Sequence, residues 1–508
     1  MSNSTIAKSA IGVTFVMILG YALSFVKEAV IANYFGISED VDAYTIAIQI
    51  PVILFSFIAV AIQSVVVPLY SDLLYNKNKS DADMFASNLI TIVIVGTTIF
   101  CILGEIFASG IVCIFAPGFS DETNTLSSNL LRITLPTVFF SLTTKIFTAI
   151  LNVQKKYVFP ELSLIVLNGI LILTIVLIHA NFGIYAACLG QLFGCIFQIF
   201  FLYVIIRKYF KYSFILDFKD KSVIKAMKMS LPVFWSISVA ELNAMINRMV
   251  ASFLFVGSIA SLSYAQKLNS IFITFFTSAI ATIVYPMFAE SASKGDTEQL
   301  IRRINISISA YAFILLPVMV YVILYSKEIV MLAFARGAFD YSAVDTTSGL
   351  LSIYAFGILF LVVRGTITNV FYSLKDSKTP AINATIGIII NAILNLTLPF
   401  IIGLDGIALA SMISAIYISS MLLVLLIKKN PLVKLNQFYE NLKNIVIATL
   451  GALSVIVIVK IETANFSVII NLIVGFLSIA FVYLFANFAM KTPVFMMLVK
   501  TVRNKFSK

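Results

Sequence analysis

RKYFKYSFILDFKDKSVIKAMK, residues 207–228, is the long hydrophilic interruption in the body of an otherwise apolar chain. It holds seven basic residues (Arg207, Lys208, Lys211, Lys219, Lys221, Lys225, Lys228) against two acids, Asp217 and Asp220. Six long apolar segments lie on either side, and the two sets match each other. The stretch therefore reads as a cytoplasmic hinge between two copies of one membrane unit. The first copy covers 1–206 and the second 229–429. Residues 430–508 add two more apolar segments and a basic tail.

Composition places the whole chain in a bilayer. Hydrophobic residues make up 60% of 508 and charged ones 12%, against about 25% charged in soluble domains. A spanning helix needs about 20 predominantly apolar residues, and such runs recur along nearly the whole length. An all-α polytopic membrane protein is expected, with fourteen spans. In the first copy they lie at about 10–35, 44–70, 87–114, 126–152, 160–180 and 184–206. In the second they lie at about 229–255, 261–288, 300–332, 346–373, 380–402 and 406–427, followed by 440–460 and 465–489. The apolar run from Ala10 continues through Lys27 and Glu28 to Gly36, so it reads as a retained first helix, not a cleaved signal.

The net charge of +11 does not indicate nucleic acid, because the cations cluster in alternate short loops. After even spans come Lys77 and Lys79, Lys155 and Lys156, the hinge, Lys294, Lys375 and Lys378, then Lys428, Lys429 and Lys434. Loops after odd spans are often acidic, as at Asp121-Glu122. Cytoplasmic loops carry the excess of Lys and Arg, so both termini are expected in the cytoplasm. The tail ends in Arg503, Lys505 and Lys508. Pro136 and Pro232 read as kink positions and Trp235 as packing.

The internal repeat supports two lobes. Pro68-Leu69 answers Pro286-Met287, and Phe115-Ala116-Pro117-Gly118 answers Phe334-Ala335-Arg336-Gly337. Pro160 answers Pro380, and Asn181-Phe182-Gly183-Ile184 answers Leu404-Asp405-Gly406-Ile407. Offsets stay near 220 residues. With an even number of spans per copy, both copies share one orientation, the parallel arrangement that transporters use around a central site.

Ionisable residues at bilayer depth cost roughly 2.5–3.5 kcal/mol on insertion scales, so each needs a reason. The candidates are Lys27, Glu28, Glu105, Lys145, Glu241, Arg248, Lys267 and Arg364. Lys145 and Arg364 fall at equivalent repeat positions on a 219-residue offset, which puts a cation in each copy. Such cations suit an anionic substrate, since Lys and Arg hold phosphate through charge-assisted hydrogen bonds. The alternative account is ion pairing within a helix or a lobe, or snorkelling of Lys and Arg to an interface, as for Lys267 near a span end. Glu105 and Glu241 are the candidates for a coupling H⁺ or Na⁺. Asn383, Asn391 and Asn395 read as interhelical hydrogen-bonding glue. There is no Walker A motif, no nucleophile elbow and no metal-ligand cluster, so no cofactor or enzymatic activity is expected. Transport would be driven by the membrane potential or an ion gradient. The lone His179 and the four cysteines read as interface and packing residues.

Lys27-Glu28-Ala29, Tyr34-Phe35-Gly36 and Asp42-Ala43-Tyr44 before Ile50-Pro51 resemble the opening of the MurJ (MviN) lipid II flippases. Ala251-Ser252-Phe253-Leu254, Gly257-Ser258, Arg336-Gly337-Ala338-Phe339-Asp340 and Asp376-Ser377-Lys378-Thr379-Pro380 look like further signatures of that family. The resemblance runs over the first twelve spans. It implies the fold of the multidrug/oligosaccharidyl-lipid/polysaccharide flippase superfamily, with the last two helices forming a lipid-facing groove. It also implies alternating access that carries lipid II, an undecaprenyl-pyrophosphate-linked peptidoglycan precursor, to the outer leaflet of the bacterial cytoplasmic membrane. Cell-wall synthesis machinery is the implied partner. The family's charged cavity positions map onto Lys27, Asp42 and Lys267. Phe55 and Ser56 stand where many members carry paired arginines, and Ser270 where an acid often follows the cation. Alternatives are a flippase for another polyprenyl-linked glycan, a cation-coupled multidrug exporter, and a membrane glycan polymerase or ligase.

Overall fold

The structure, a computed structural model, describes residues 3–429 and 436–506. Side chains at 3–11, 57, 61, 63, 64, 230–240, 275–283, 436, 437 and 501–506 lie outside that description. So, therefore, do the expectations for Pro232, Trp235, Lys434 and the tail cations. Every regular element among the described residues is a helix. By contacts the chain forms two compact units, Met1–Ala260 with Arg336–Phe339, and Ser261–Ala335 with Asp340–Lys508.

The first unit holds α1 (Asn3–Phe35), α2 (Glu39–Asn76), α3 (Lys79–Phe115), α4 (Asp121–Thr134), α5 (Thr137–Val153), α6 (Val158–Phe182), α7 (Tyr185–Ile206) and α8 (Lys221–Ala251). It also takes the first turn of α9 (Ser258–Ser293). The division was expected at 207–228 but falls after Ala260, because α8 packs along α2 and α3. Pro136 separates α4 from α5 within one span, as its ring and missing N–H dictate. Lipid is as apolar as leucine, so helices here adhere by close packing, not by water exclusion. The α6–α7 pair shows how: Gly190 and Gly194, one turn apart, let α7 touch the α6 backbone. A Cβ on Gly194 would lie 2.7 Å from the Leu167 carbonyl oxygen. A second core joins Tyr70 of α2, Ile90 of α3, Ile146 and Ile150 of α5 and Ile206 of α7.

The second unit continues α9 and adds α10 (Thr297–Leu324), α11 (Ser326–Phe334), α12 (Tyr341–Ser373), α13 (Lys378–Asn395), α14 (Leu398–Ile402) and α15 (Asp405–Lys429). After them come α16 (Asn436–Glu462), α17 (Val468–Ala489) and α18 (Pro493–Phe506). The two helices outside the repeat pack on α10. Ile445, Ala448, Ala452 and Ile456 recur on one face of α16 and are all buried there. Tyr483 donates to the Phe313 carbonyl at 2.7 Å and Tyr321 to that of Leu472 at 2.8 Å, fixing α17 to the same helix. The tail beyond span fourteen, expected only as a basic segment, begins as helix α18.

Twelve stretches among the described residues are long and apolar enough to cross a membrane, against fourteen expected. The expected seventh and eighth spans fall on α8 and α9, helices of 31 and 36 residues.

Backbone geometry confirms the repeat and refines its register. Lys155 and Lys375 both adopt left-handed conformations, φ 58° and 60°, after α5 and α12. Each closes the same turn: Lys155 N–H donates to Asn152 and Lys156 N–H to Leu151, while Lys375 donates to Tyr372 and Asp376 to Phe371. Gly183 and Gly403 likewise share positive φ, 53° and 68°, and identical following bonds, Ala186 to Gly183 and Gly406 to Gly403. The offset is therefore 220 at both places. Gly183 answers Gly403, not Gly406, and Lys145 answers Gly365, with Arg364 one residue out of register. One residue is about 100° around a helix and about 1.5 Å along it.

Candidate functional site

The sharpest constellation is built on Asp42. Ser38 starts α2, its hydroxyl accepting from Val41 N–H at 3.4 Å, and this puts Asp42 in the first turn, 4% exposed. Its Oδ2 accepts from Gly257 N–H and its Oδ1 from Ala260 N–H, both at 2.7 Å. One carboxyl thus grips the free amides at the start of α9, where the helix dipole favours an acid. Burial pushes Asp42 up to about 7, against the pull of the Ala260, Gly257 and Ile259 amides.

The first unit also brings together Tyr34-Phe35-Gly36, Ser252 and Arg336-Gly337-Ala338-Phe339. Ala338 N–H donates to the Asn33 carbonyl at 2.8 Å. Gly36, at φ +61°, presses against the Ala338 carbonyl, and Gly337, at φ +54°, against that of Asn33. Neither backbone would tolerate a Cβ there. Gly118 N–H donates to Ser252 Oγ at 3.0 Å. Tyr34 packs against His179 with ring centroids 3.9 Å apart and planes tilted by 38°, which accounts for the only histidine in the sequence.

Two candidate cations of the first unit, Lys27 and Lys145, interact with acids. Lys27 Nζ lies 3.0 Å from Glu28, both mostly buried. Lys145 on α5 interacts electrostatically with Glu161 of α6. Arg248 turns back to donate to the Ala244 carbonyl at 3.1 Å, and Glu241 is half-buried one heptad earlier on α8. Glu105, expected as an isolated carboxylate, is half-exposed and meets Arg132 of α4 at 3.7 Å. Sequence reasoning missed both partners. Arg132 was legible as a cation inside an expected span, and Glu161 directly follows Pro160 at a span start.

In the second unit Lys267 on α9 and Arg364 on α12 are half-buried. Among the described residues no carboxylate lies within ion-pair distance of Arg364. Asn383 donates to the Ile418 carbonyl at 2.8 Å, and Asn391 to Ser411 Oγ at 3.4 Å, both on α15. Asn395 donates to Asn391 at 2.7 Å. These asparagines join α13 to α15, as the glue reading expects. Asp376 closes the Asp-Ser-Lys-Thr-Pro string: it accepts from Thr379 N–H at 3.0 Å and from Lys429 Nζ at 2.6 Å, so α13 and α15 share a cap. Lys429 and these hydrogen bonds hold its carboxyl down to about 2. A wholly apolar cavity of about 680 Å³ opens among α9, α10 and α17, lined by residues including Phe272, Phe313, Pro317, Phe476 and Tyr483.

The family model described as "Lipid II flippase MurJ" matches residues 31–477. A relative from Thermosipho africanus, "Lipid II flippase MurJ", is 29% identical over 456 residues, 90% of this chain and 91% of its own. A "Probable lipid II flippase MurJ" from Buchnera aphidicola subsp. Baizongia pistaciae is 28% identical over 381 residues, 74% of each chain. Among solved structures, "Lipid II flippase MurJ, inward closed conformation" superposes with a TM-score of 0.79 and 27% identity, over 95% of this chain and 99% of that one. A multidrug resistance MATE family transporter of the MOP superfamily, in its inward-facing conformation, shares the fold alone. It is 14% identical with a TM-score of 0.61, over 80% of this chain and 99% of its own.

Proposed function

We propose that this chain, which belongs to the lipid II flippase MurJ family, carries lipid II from the inner to the outer leaflet of the bacterial cytoplasmic membrane for cell-wall synthesis. The observation that carries this is the family match over residues 31–477. It is a transporter, not an enzyme.

The physical problem is a bulky headgroup with two phosphates and about 30 Å of hydrocarbon to cross. Lys27, Lys145 and Arg248 in the first unit, and Lys267 and Arg364 in the second, are the cations suited to an anionic headgroup. Glu28 and Glu161 hold Lys27 and Lys145 compensated while no substrate is present, so a phosphate replaces an existing partner and does not meet a bare buried charge. The polyprenyl chain takes the apolar cavity beside α17, where Phe476 and Tyr483 present only hydrocarbon and ring faces. Asp42 governs how firmly the first turn of α9 is held. The excess of Lys and Arg in alternate loops supports a cytoplasmic position for both termini. With no ATP motif in the sequence, membrane potential or an H⁺ or Na⁺ gradient supplies the drive. Glu241 is the better coupling candidate, because Glu105 is already engaged by Arg132.

The test is a depletion rescue in bacteria whose own lipid II flippase is switched off, quantifying outer-leaflet lipid II. The wild-type chain restores it, and Arg364→Ala at equal abundance does not. A well-inserted wild-type chain that restores nothing refutes lipid II as substrate, and polyprenyl-linked glycans of other kinds become the next candidates.

A further inference from the structure

A second cavity, of about 570 Å³, lies in the first unit between α3, α5 and α7, and the segment following α7 covers one side of it. Its floor is apolar: Ile90, Ile94, Phe147, Ile206 and Phe210. Its rim is not. Arg207 and Lys211 line it together with Tyr203 and Tyr212. Both tyrosines are about half exposed, 52% and 46%, so they mark the mouth.

The covering segment is held in place, not merely draped. Four buried side chains along one face of α3 bind it. Asp83 accepts from Lys211 N–H at 3.3 Å, and Ser87 Oγ from Ser213 N–H at 3.2 Å. Asn88 makes a reciprocal pair with the Asp217 backbone at 2.9 and 2.8 Å, and Thr91 bonds Tyr212 at 2.9 Å. Asp83 is itself fixed by Tyr70 at 2.9 Å. Positions 83, 87, 88 and 91 share a helix face, so the ladder was written into α3 for this segment. The cavity is consequently preformed, and its two cations come from the segment that α3 grips.

An apolar slot with cations and hydroxyls at its mouth complements an amphiphile with an anionic head. At this volume, within the range of small-molecule sites, it accommodates acyl-chain segments and not an undecaprenyl tail. The geometry points to a resident anionic phospholipid of the inner leaflet, its phosphate on Arg207 and Lys211 and an acyl chain against Ile94 and Phe147. The site rests on the cytoplasmic placing of 207–228 proposed above. It is separate from the lipid II cations and from the apolar cavity beside α17.

Photo-crosslinking decides it. The full-length chain is placed in phosphatidylcholine nanodiscs with a trace of phosphatidylglycerol carrying a diazirine on one acyl chain, and labelled peptides are mapped by mass spectrometry. Label is expected on the peptides carrying Ile94 and Phe147, with little from the matching phosphatidylcholine probe. Arg207→Gln with Lys211→Gln should cut it about thirtyfold, since each basic residue near an anionic surface contributes about a factor of five. Ile94→Trp, which fills the slot and leaves the charges, should also abolish it. Equal labelling by both probes overturns the proposal, as does label unchanged in both variants. Displacement by a polyprenyl pyrophosphate at equal concentration also overturns it, by assigning the slot to substrate. Labelling needs no transport, so a negative result with flipping intact removes this site and leaves the flippase reading standing.

Discussion

Replacing Asp42 by alanine strips the acceptor from two backbone amides at once. Gly257 and Ala260 donate to it at 2.7 Å each, and the carboxyl is 4% exposed, so water does not readily take its place. A buried donor left without an acceptor costs roughly 1–3 kcal/mol. Loss of an N-terminal cap alone costs about 1 kcal/mol. Releasing the carboxyl from its buried position offsets part of this, leaving a net weakening of about 2 kcal/mol, or about thirtyfold in an opening equilibrium. Asp42→Asn keeps one acceptor oxygen and should lose about tenfold. Amide hydrogen exchange on peptides spanning 255–262 reads this directly, because it reports local opening free energy. Unchanged protection in the alanine variant would refute the latch.

The same residue gives a pH dependence with a definite sign. A solvated aspartate releases its proton near 3.9, whereas burial holds Asp42 up to about 7. The latched form therefore binds a proton that the released form has lost throughout that interval. Latch strength is greatest below about pH 4, falls as pH rises towards 7, and is flat above it. Between pH 6 and 8 the linkage amounts to about tenfold. Protection at Gly257 and Ala260, corrected for intrinsic exchange, should fall by that factor in the wild type and stay level in Asp42→Asn. A flat wild-type profile would contradict the burial argument.

Three further outcomes follow from the packing. Lys155→Gly and Lys375→Gly should each be about 1 kcal/mol more stable than the corresponding alanine variants, since glycine alone adopts positive φ without a Cβ clash; matched melting temperatures would deny the left-handed turns. Gly194→Ala drives a Cβ to within 2.7 Å of the Leu167 carbonyl and should destabilise by about 1–3 kcal/mol, while Gly96→Ala, with nothing within 4 Å, should not, as scanning fluorimetry would show. In a double-mutant cycle, Lys145→Ala with Glu161→Ala should keep more folded protein than either single change, because each single change leaves one uncompensated buried charge; strictly additive losses would mean that the two do not interact.

What was legible in the sequence follows from how each signal is written. Span positions depend on summed apolarity over about 20 residues, which tolerates local error. The repeat was visible because Pro160 and Pro380 punctuate both copies. Its register was misread by one residue at Arg364 and by three at Gly406, because the string comparison matched residue types. The register is actually kept by backbone turns, such as those at Lys155 and Lys375, whose left-handed conformations residue type does not announce.

Charge partners were harder still, for a geometric reason. A lysine's partner depends on the rotation of two helices, and neither rotation is encoded near the lysine. Glu161, in the first turn of α6, interacts electrostatically with Lys145 of α5, the helix before the Lys155 turn. Arg132 of α4 reaches Glu105 of α3 across a helix pair, 27 residues away in sequence. Asp42 is the instructive case in the other direction: its string was noticed, yet its role is set by amides 215 and 218 residues away. Amides carry no side-chain signature, so the only sequence trace of that contact is Gly257, whose φ of +88° opens the turn that aims them. A substitution at Gly257 should therefore mimic loss of Asp42, raising exchange across 255–262 even with the carboxyl intact.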